Sequence, residues 1–175
     1  MELKRVVVTG LGAITPIGNT APETWAALLN GVSGAGPITQ FDASKFKTQF
    51  ACEVKDFDVT KYIDRKEARR LDRYAQFAMV AAEESIADSK LDVEQVDKNR
   101  VGVIIASGIG GLGTFEEEVR GYDAEAGSRF NPFFIPKMIS DISAGHVSMK
   151  YGFHGPNYST ASACASSTNA LIVDR

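Results

Sequence analysis

The sequence predicts an α/β fold built on a parallel sheet, and two observations carry this prediction. Two short apolar runs, residues 5–9 and 101–106, show no polar alternation, which is typical of strands buried on both faces of a parallel sheet. The first run stops at Gly10 and the second at Ser107-Gly108, and each is followed by a segment with helical periodicity, as in a strand–loop–helix unit. The 175 residues, 44% of them hydrophobic, suffice for one domain with a sizeable core.

Composition argues against several classes of function. The net charge of −3 argues against general nucleic-acid binding, and no apolar run approaches the ~18 residues of a membrane span. The chain starts directly with a strand pattern rather than a signal peptide, so we expect a cytoplasmic protein. The two cysteines and two histidines lack the spacing of metal ligands, so the sequence predicts no metal and no cofactor.

Residues 1–31 contain the first predicted strand–loop–helix unit. The Gly-Leu-Gly at residues 10–12 begins like a dinucleotide-binding loop, but the third glycine of that motif would fall at Thr15, and Pro16 interrupts the helix that should follow. The Thr-Ala-Pro-Glu at residues 20–23 is a capping box with proline in the first turn, and it predicts a helix that stops at Gly31. We therefore predict a helix here and no nucleotide site.

A long helix is predicted in the next part of the chain. Residues 50–54 are first predicted as a strand with Cys52 on an apolar face, where Cys52 would be an ordinary core residue. Asp64 could then cap one helix that continues to about Lys90. The apolar stripe expected to be buried consists of Leu71, Ala75, Ala78, Met79, Ala82 and Ile86. Four cations at i, i+3, i+4 and i+7 share an outer face of this helix: Lys66, Arg69, Arg70 and Arg73. Without further context such a face is most simply a solvated surface.

Two later loops are candidate walls of a binding pocket. Residues 107–113 carry four glycines after the strand at 101–106, and ligands of α/β proteins bind at the carboxyl ends of strands. The Pro-Phe-Phe-Ile-Pro at residues 132–136 is the most apolar loop, and it suits either a buried subunit contact or an acyl-sized pocket. A helix from Ser140 is predicted to end at Gly152.

Cys164 lies where a strand pattern turns into a helix pattern. Residues 157–160 favour an extended strand, and residues 163–170 carry little side-chain bulk, so the chain can turn sharply into a tightly packed helix. In the first turn of that helix, backbone N–H groups lack intrahelical partners, and the helix dipole stabilises negative charge on the sulfur. Cys164 is therefore a candidate nucleophile, and the alternative is a free cysteine that fills a small buried site.

Five motifs occur in an order and spacing that resemble a known family. They are Val-Val-Val-Thr-Gly-Leu-Gly, Ala-Ser-Gly-Ile-Gly-Gly-Leu-Gly, Asn-Pro-Phe-Phe-Ile-Pro, Ser-Ala-Gly-His and Ser-Ala-Cys-Ala-Ser-Ser. Together they span the chain and are similar to those of the elongating β-ketoacyl-acyl carrier protein synthases, type II. The resemblance implies a homodimer with a thiolase-like fold of layered αβα halves. Residues 1–175 would be the N-terminal half, truncated within the nucleophile helix.

The resemblance implies decarboxylative Claisen condensation in fatty acid biosynthesis, through an acyl thioester on Cys164. The backbone N–H of Cys164 would be one oxyanion donor, and acyl carrier protein, in its acyl and malonyl forms, would be the partner. Ile109 and Ala163 match positions along the acyl channel, while Phe134 and Ile135 match positions that reach across the dimer to it. The positions that dock the acidic carrier protein are matched by Lys66, Arg69, Arg70 and Arg129, with Arg73 beside them.

The resemblance also implies that two histidines and a lysine of the condensation lie in a second half that this chain lacks. His146 and His154 match no catalytic position, so we expect the 175-residue chain alone to be inactive in condensation and poorly soluble. Four alternatives stay open: a polyketide ketosynthase, a degradative thiolase, a non-catalytic partner or inert fragment, and a cysteine hydrolase. The hydrolase would require His146 within hydrogen-bond reach of the Cys164 thiol.

Overall fold

The computed structural model describes residues 5–123, 125, 127 and 129–173. Its helices are α1 (Ala21–Leu29), α2 (Arg65–Ala68), α3 (Arg73–Ser89), α4 (Leu112–Arg120), α5 (Phe134–Met138), α6 (Ile142–Tyr151) and α7 (Ser166–Val173). Its strands are β1 (Gly36–Pro37), β2 (Phe50–Ala51), β3 (Val103–Ile104) and β4 (Asn157–Tyr158). Short 3₁₀ turns are Val59–Lys61, Lys98–Arg100 and Ala163–Ala165.

The chain divides into two compact units. The first unit comprises Met1–Val8, Val59–Met79 and Leu91–Arg175. The second unit comprises Thr9–Asp58 and Val80–Lys90. The stretch with Cys164 and both glycine- and phenylalanine-rich loops belong to the first unit.

A short parallel sheet organises the first unit. β3 pairs in parallel with β4, with Val103 opposite Asn157 and Ile104 opposite Tyr158. The ladder continues beyond the strands, because the N–H of Ser107 donates to the carbonyl of Thr160 at 3.2 Å. Parallel neighbours need a long crossover connection, and α4, α5 and α6 lie within it. The parallel pairing predicted for residues 101–106 is confirmed.

Helix α6 packs against both strands of this sheet. Its inward side chains are fully buried, with Ala144 at 0% and Val147 at 3% exposure. The helix stops at Gly152, which adopts the left-handed conformation at φ 69°, and the N–H of Phe153 then donates to the Ser148 carbonyl. The predicted end of this helix at Gly152 is confirmed.

The single helix predicted from Asp64 to about Lys90 is wrong, because the structure has two helices there. Asp64 does cap α2, since its Oδ1 accepts the N–H of Lys66 at 2.8 Å. A second carboxylate then starts α3, since Asp72 Oδ1 accepts the N–H of Tyr74 at 3.2 Å. A side-chain acceptor that bonds a nearby backbone donor favours a new helix start over continuation. The buried stripe survives the break, with Leu71 at 3%, Ala75 at 0% and Met79 at 1% exposure, although Ala78, Ala82 and Ile86 are only half-buried.

The strand predicted for residues 5–9 is not present. The side chains of Val6, Val7 and Val8 are 67%, 59% and 78% exposed. A fully buried strand needs hydrogen-bonded neighbours and cover on both faces, and no strand of the described residues pairs with this run. Its apolar composition therefore did not suffice to make it a strand.

The second unit confirms the predicted capping box. The Thr20 side chain accepts the N–H of Glu23 at 3.2 Å, which fixes the start of α1. The Glu23 carboxylate in turn accepts the N–H of Asn19 at 2.8 Å, one residue earlier than a standard capping box. Gly31 has φ 63°, as expected of the glycine that ends a helix.

The glycines at residues 10–12 allow close packing against α3. A Cβ atom on Gly12 would lie 1.9 Å from the carbonyl oxygen of Ala81. The N–H of Leu11 donates to Asp88 Oδ2 at 2.9 Å, so this donor is already used within the protein. Close helix packing thus explains these glycines without a bound nucleotide.

Cys52 was predicted to be a core residue, and this prediction is wrong. β2 covers only Phe50–Ala51 and pairs antiparallel with β1, and Cys52 is exposed just beyond its end. A two-stranded ribbon of this length has little capacity to bury a side chain.

Candidate active site

Cys164 lies at the end of a sharp turn that follows the parallel sheet. The ladder reaches Thr160, Cys164 then occupies the middle of the 3₁₀ turn Ala163–Ala165, and α7 starts at Ser166. The cysteine therefore lies two residues before the start of α7, rather than in the first turn of that helix as predicted. Its side chain is exposed. Among the described residues, the N–H of Cys164 has no hydrogen-bond acceptor.

The turn depends on an unusual backbone conformation at Ala163. Ala163 has φ 49°, in the left-handed region that residues other than glycine rarely adopt. The preceding Ser162, at φ −151° and ψ 50°, lies outside both the helical and the extended regions. Reversal of direction within two residues places Cys164 at the tip of an elbow, and such strain is characteristic of functional positions.

Side chains on both sides of the elbow hold it in place. Ser166 is 4% exposed; its Oγ accepts the N–H of Ser162 at 2.8 Å and donates to the carbonyl of Ala163 at 2.7 Å. Thr160 Oγ1 donates to the Ser166 carbonyl at 2.9 Å, and Asn169 Nδ2 donates to Ser162 Oγ at 2.6 Å. We refer to residues 160–169, held by these four bonds, as the elbow. The sequence indicated small residues here but not these partners.

The glycine-rich loop leaves the same edge of the sheet as the elbow. Because β3 and β4 are parallel, the bond from Ser107 to Thr160 brings both loops to the carboxyl ends of the strands, as predicted. Gly110 has φ 85°, and its N–H donates to Ser107 Oγ at 3.0 Å. A Cβ atom on Gly110 would lie 2.3 Å from the Met138 carbonyl, so only glycine fits. Ile109, a predicted channel residue, is 70% exposed on this loop.

Phe134 and Ile135, the other predicted channel residues, lie in α5 rather than in a loop. The Phe134 ring packs against Phe115 at 6.2 Å and against Phe130 at 5.4 Å between centroids. Ile135 remains 53% exposed. The contacts of Phe134 are therefore to its own aromatic cluster, and none of those described joins it to Cys164.

The four predicted docking cations are exposed but belong to different elements: Lys66 lies in α2, Arg69 and Arg70 in the break, and Arg73 at the start of α3. The prediction that these four side chains share one face of a single helix is therefore wrong, because α2 and α3 are separate helices. The guanidinium of Arg70 lies 5.0 Å above the Phe133 ring. Arg129 is also exposed.

Asp72 connects the break between α2 and α3 to α4, and no pattern in the sequence indicated this contact. Asp72 Oδ2 accepts the N–H of Thr114 at 3.1 Å and the Thr114 hydroxyl at 2.6 Å. The hydroxyl of the neighbouring Tyr74 donates to the Ile139 carbonyl. Burial raises the pKa of Tyr74 to about 12, with smaller contributions from Asp72 and Asp141, so this hydroxyl stays a donor.

Neither histidine is bonded to the cysteine. His146 is half-buried in α6, where burial lowers its pKa below the ordinary 6.5, although Glu67 acts in the opposite direction. His154 is exposed, and its backbone N–H donates to the Lys98 carbonyl at 2.8 Å. No hydrogen bond joins either imidazole to Cys164 in the described part of the chain, so the structure does not support a cysteine hydrolase that uses His146.

The described residues offer neither a metal site nor a membrane-spanning helix. They contain no cluster of three or more acidic, histidine or cysteine side chains that could hold a metal ion. They also contain no helix with the length and apolar character to span a membrane.

Two known proteins with similar sequences carry the same enzyme name. The 3-oxoacyl-[acyl-carrier-protein] synthase 2 of Synechocystis sp. is 47% identical over 171 residues, which are 98% of this chain and 41% of that protein. The protein of the same name from Staphylococcus aureus strain COL is 45% identical over 168 residues, or 96% of this chain and 41% of its own. The chain thus spans about two-fifths of the length of these curated relatives.

Solved structures of ketosynthases have the same fold. A β-ketoacyl synthase from Burkholderia phymatum STM815 is 26% identical, with a TM-score of 0.77 over 98% of this chain and 42% of that one. A type II polyketide ketosynthase in complex with its acyl-carrier protein gives the same score and identity over 97% of this chain and 45% of that one. The predicted thiolase-like α/β class is therefore confirmed. Because residues 3–173 also match the family model "Beta-ketoacyl synthase, N-terminal domain", the chain belongs to the β-ketoacyl synthase family.

Proposed function

We propose that this chain carries the nucleophile of a 3-oxoacyl-acyl carrier protein synthase that elongates acyl chains in fatty acid biosynthesis. One observation carries the proposal: the exposed Cys164 thiol lies on a strained elbow at the carboxyl edge of the parallel sheet, with its own N–H free of a described acceptor. The relatives at 47% and 45% identity supply the substrate class through their name.

The first half-reaction is acyl transfer to Cys164. Sγ attacks the carbonyl carbon of an acyl thioester on the carrier protein and forms a new C–S bond. The C–S bond to the carrier breaks, and the carrier sulfur leaves with the proton that Cys164 gives up. While the carbonyl oxygen carries negative charge, the N–H of Cys164 donates to it.

The second half-reaction is condensation. The malonyl group on a second carrier protein loses CO₂, and the resulting carbanion attacks the carbonyl carbon of the Cys164 thioester. The bond to Sγ breaks and the product is a 3-oxoacyl thioester on the carrier. This step needs acid–base groups, and neither His146 nor His154 is bonded to the thiol. We therefore assign acylation to this chain and decarboxylation to residues outside residues 1–175.

The acyl chain is proposed to lie against the glycine-rich loop and the elbow. Ile109 is an exposed apolar side chain on that loop, and Ala163 adjoins the nucleophile. In a homodimer, Phe134 and Ile135 of the partner subunit would complete the channel. Ile135 is 53% exposed on α5, and the flanking Phe133 and Ile139 are 42% and 36% exposed, so a subunit contact at this helix would cover apolar side chains.

The carrier protein is proposed to dock by charge. Lys66, Arg69, Arg70, Arg73 and Arg129 are exposed cations in a chain whose net charge is −3. An acidic carrier is attracted to such a local basic surface and repelled elsewhere, which accelerates association. A related ketosynthase has been solved with its acyl-carrier protein, which supports this class of partner.

A polyketide ketosynthase is the second candidate, because one of the similar structures is of that kind. Its identity to this chain is 26%, whereas the 3-oxoacyl-[acyl-carrier-protein] synthase 2 of Synechocystis sp. reaches 47%. The higher identity favours fatty acid elongation. A cytoplasmic location goes with it as a prediction.

The test uses a swap hybrid, in which this chain replaces the matching segment of the Synechocystis relative. Purified swap hybrid should convert an acyl-carrier protein and malonyl-carrier protein into the 3-oxoacyl product, detected by mass spectrometry. Cys164→Ser should abolish the product, whereas Cys52→Ser, which removes the other exposed thiol, should not. Unchanged product formation by a folded Cys164→Ser hybrid would overturn the proposal, as would activity on polyketide intermediates alone.

A further inference from the structure

Ser166 forms hydrogen bonds with backbone groups before and after the strained φ of Ala163, the residue that precedes the nucleophile. Its buried hydroxyl accepts the N–H of Ser162 and donates to the carbonyl of Ala163, at 2.8 and 2.7 Å. The backbone N–H of Ser166 also donates to that carbonyl. Ala163 has no polar side-chain atom with which to stabilise its own left-handed conformation, and the Ser166 hydroxyl is the one side-chain donor described on its carbonyl.

The carbonyl of Ala163 and the N–H of Cys164 belong to one peptide unit. A peptide unit is planar and trans, so the C=O and N–H point in opposite directions and rotate together. Fixing the Ala163 carbonyl against Ser166 therefore fixes the direction of the Cys164 N–H. A hydrogen bond to the carbonyl also polarises the unit and strengthens its N–H as a donor.

We propose that Ser166 is the positioning residue of the elbow. Its hydroxyl holds the Ala163–Cys164 peptide in the orientation in which the Cys164 N–H can donate a hydrogen bond to the acyl oxygen as negative charge develops on that oxygen. This inference rests on the proposed acylation of Cys164. It assigns Ser166 no contact with the substrate. Thr160 and Asn169 bond other groups of the same turn, so among these three side chains only Ser166 bonds the Ala163–Cys164 peptide.

The inference separates two reactions of the same sulfur. Acylation by a thioester passes through an oxyanion and needs the N–H, whereas alkylation by iodoacetamide displaces iodide and forms no oxyanion. Ser166→Ala should therefore slow acylation of Cys164 by the hexanoyl thioester of N-acetylcysteamine, by about 10- to 100-fold, below the effect of deleting an oxyanion donor outright. The alkylation rate of Cys164 should stay within about twofold, since Ser166 acts on the donor rather than on the sulfur.

Ser167→Ala is the matched control. Ser167 follows in the first turn of α7 and is exposed, and no hydrogen bond of its side chain is described. The control removes the same atom from the same helix turn and should leave both rates unchanged. Ser166→Thr retains the hydroxyl and should recover most of the acylation rate, so the hypothesis stays testable if Ser166→Ala folds poorly.

The rates are measured by peptide mass spectrometry in the full chain and in the swap hybrid, with Cys52 alkylation as the internal reference. Equal loss of acylation and alkylation in Ser166→Ala, or a folded Ser166→Thr that acylates no faster than Ser166→Ala, would overturn the inference. Acylation of Ser166→Ala at the rate of Ser167→Ala would do the same. Failure of the parent proteins to acylate Cys164 at all would instead count against the proposed function.

Discussion

Replacing Asp72 with alanine should loosen two helix starts at once. Its carboxylate accepts three hydrogen bonds, from the N–H of Tyr74 at 3.2 Å and from the N–H and hydroxyl of Thr114 at 3.1 and 2.6 Å. The first fixes the start of α3, and the other two fix the first turn of α4. Asp72 therefore stabilises two places in the chain, since Thr114 lies 42 positions beyond it.

The magnitude follows from these bonds. Loss of an N-cap costs about 1 kcal/mol. Thr114 is only 5% exposed, so its hydroxyl loses its acceptor where water cannot easily replace it, at a cost of about 1–3 kcal/mol. The free energy of local opening should therefore fall by about 2–4 kcal/mol. Since about 1.4 kcal/mol corresponds to a factor of ten, exchange should accelerate by roughly 30-fold to 1,000-fold.

The assay is hydrogen exchange in the swap hybrid. Mass spectrometry reads the exchange on peptides from the starts of α3 and α4. Asp64→Ala is the control, because Asp64 also caps a helix but is exposed and has no such link to α4. It should accelerate exchange in α2 alone. Equal protection of the α4 start in Asp72→Ala and Asp64→Ala would refute the reasoning.

Three further predictions concern docking, pH and the chain by itself. Arg69→Glu with Arg70→Glu in the swap hybrid should raise the KM for acyl-carrier protein, while acylation by a small thioester stays near normal. The rise should be steepest at low salt, because salt screens charges and the Debye length is already only about 8 Å at physiological ionic strength. Equal loss of activity with both substrates would show that these arginines act on the structure and not on docking. Because burial lowers the pKa of His146 in the folded protein, the stability contribution of its neutral form is present above the unfolded value of about 6.5 and is lost as the pH falls below it. His146→Gln should therefore reduce the drop in thermal midpoint between pH 7.5 and pH 5, and an unchanged drop would contradict this sign. The 175-residue chain without a complementing partner should give no 3-oxoacyl product, and measurable product would show that its own residues suffice.

The local signals in the sequence predicted structure well where neighbours in the chain decide it. Thr20 and Glu23 fix the start of α1 through bonds within one turn, and Gly152 ends α6 through its own left-handed conformation. The sharp turn before Cys164 was readable from the small residues that follow the strand. The apolar composition of residues 101–106 indicated a strand of a parallel sheet, and β3 does pair in parallel, but its partner β4 is exposed on both residues and was not predicted as that partner.

The predictions failed where distant partners decide the structure. The apolar periodicity of Leu71 and Ala75 continues through the break between α2 and α3, so it concealed the role of Asp72, whose decisive partner Thr114 is remote in sequence. Residues 5–9 have the composition of a buried strand but no described strand beside them. The role of Ser166 could not be predicted, because its hydrogen bonds depend on the positive φ of Ala163, and an alanine in the sequence does not indicate a positive φ.

Locating the acyl group on the protein is the most direct test of the central claim that Cys164 is the acylated nucleophile. The swap hybrid is incubated with an acyl-carrier protein in the absence of malonyl-carrier protein, digested, and mapped by tandem mass spectrometry. The account predicts one acyl group per chain on the peptide that contains Cys164, labile to hydroxylamine as a thioester should be, and none in Cys164→Ser. An acyl group on Cys52 or on any other residue, with Cys164 unmodified in a hybrid that still condenses, would contradict it.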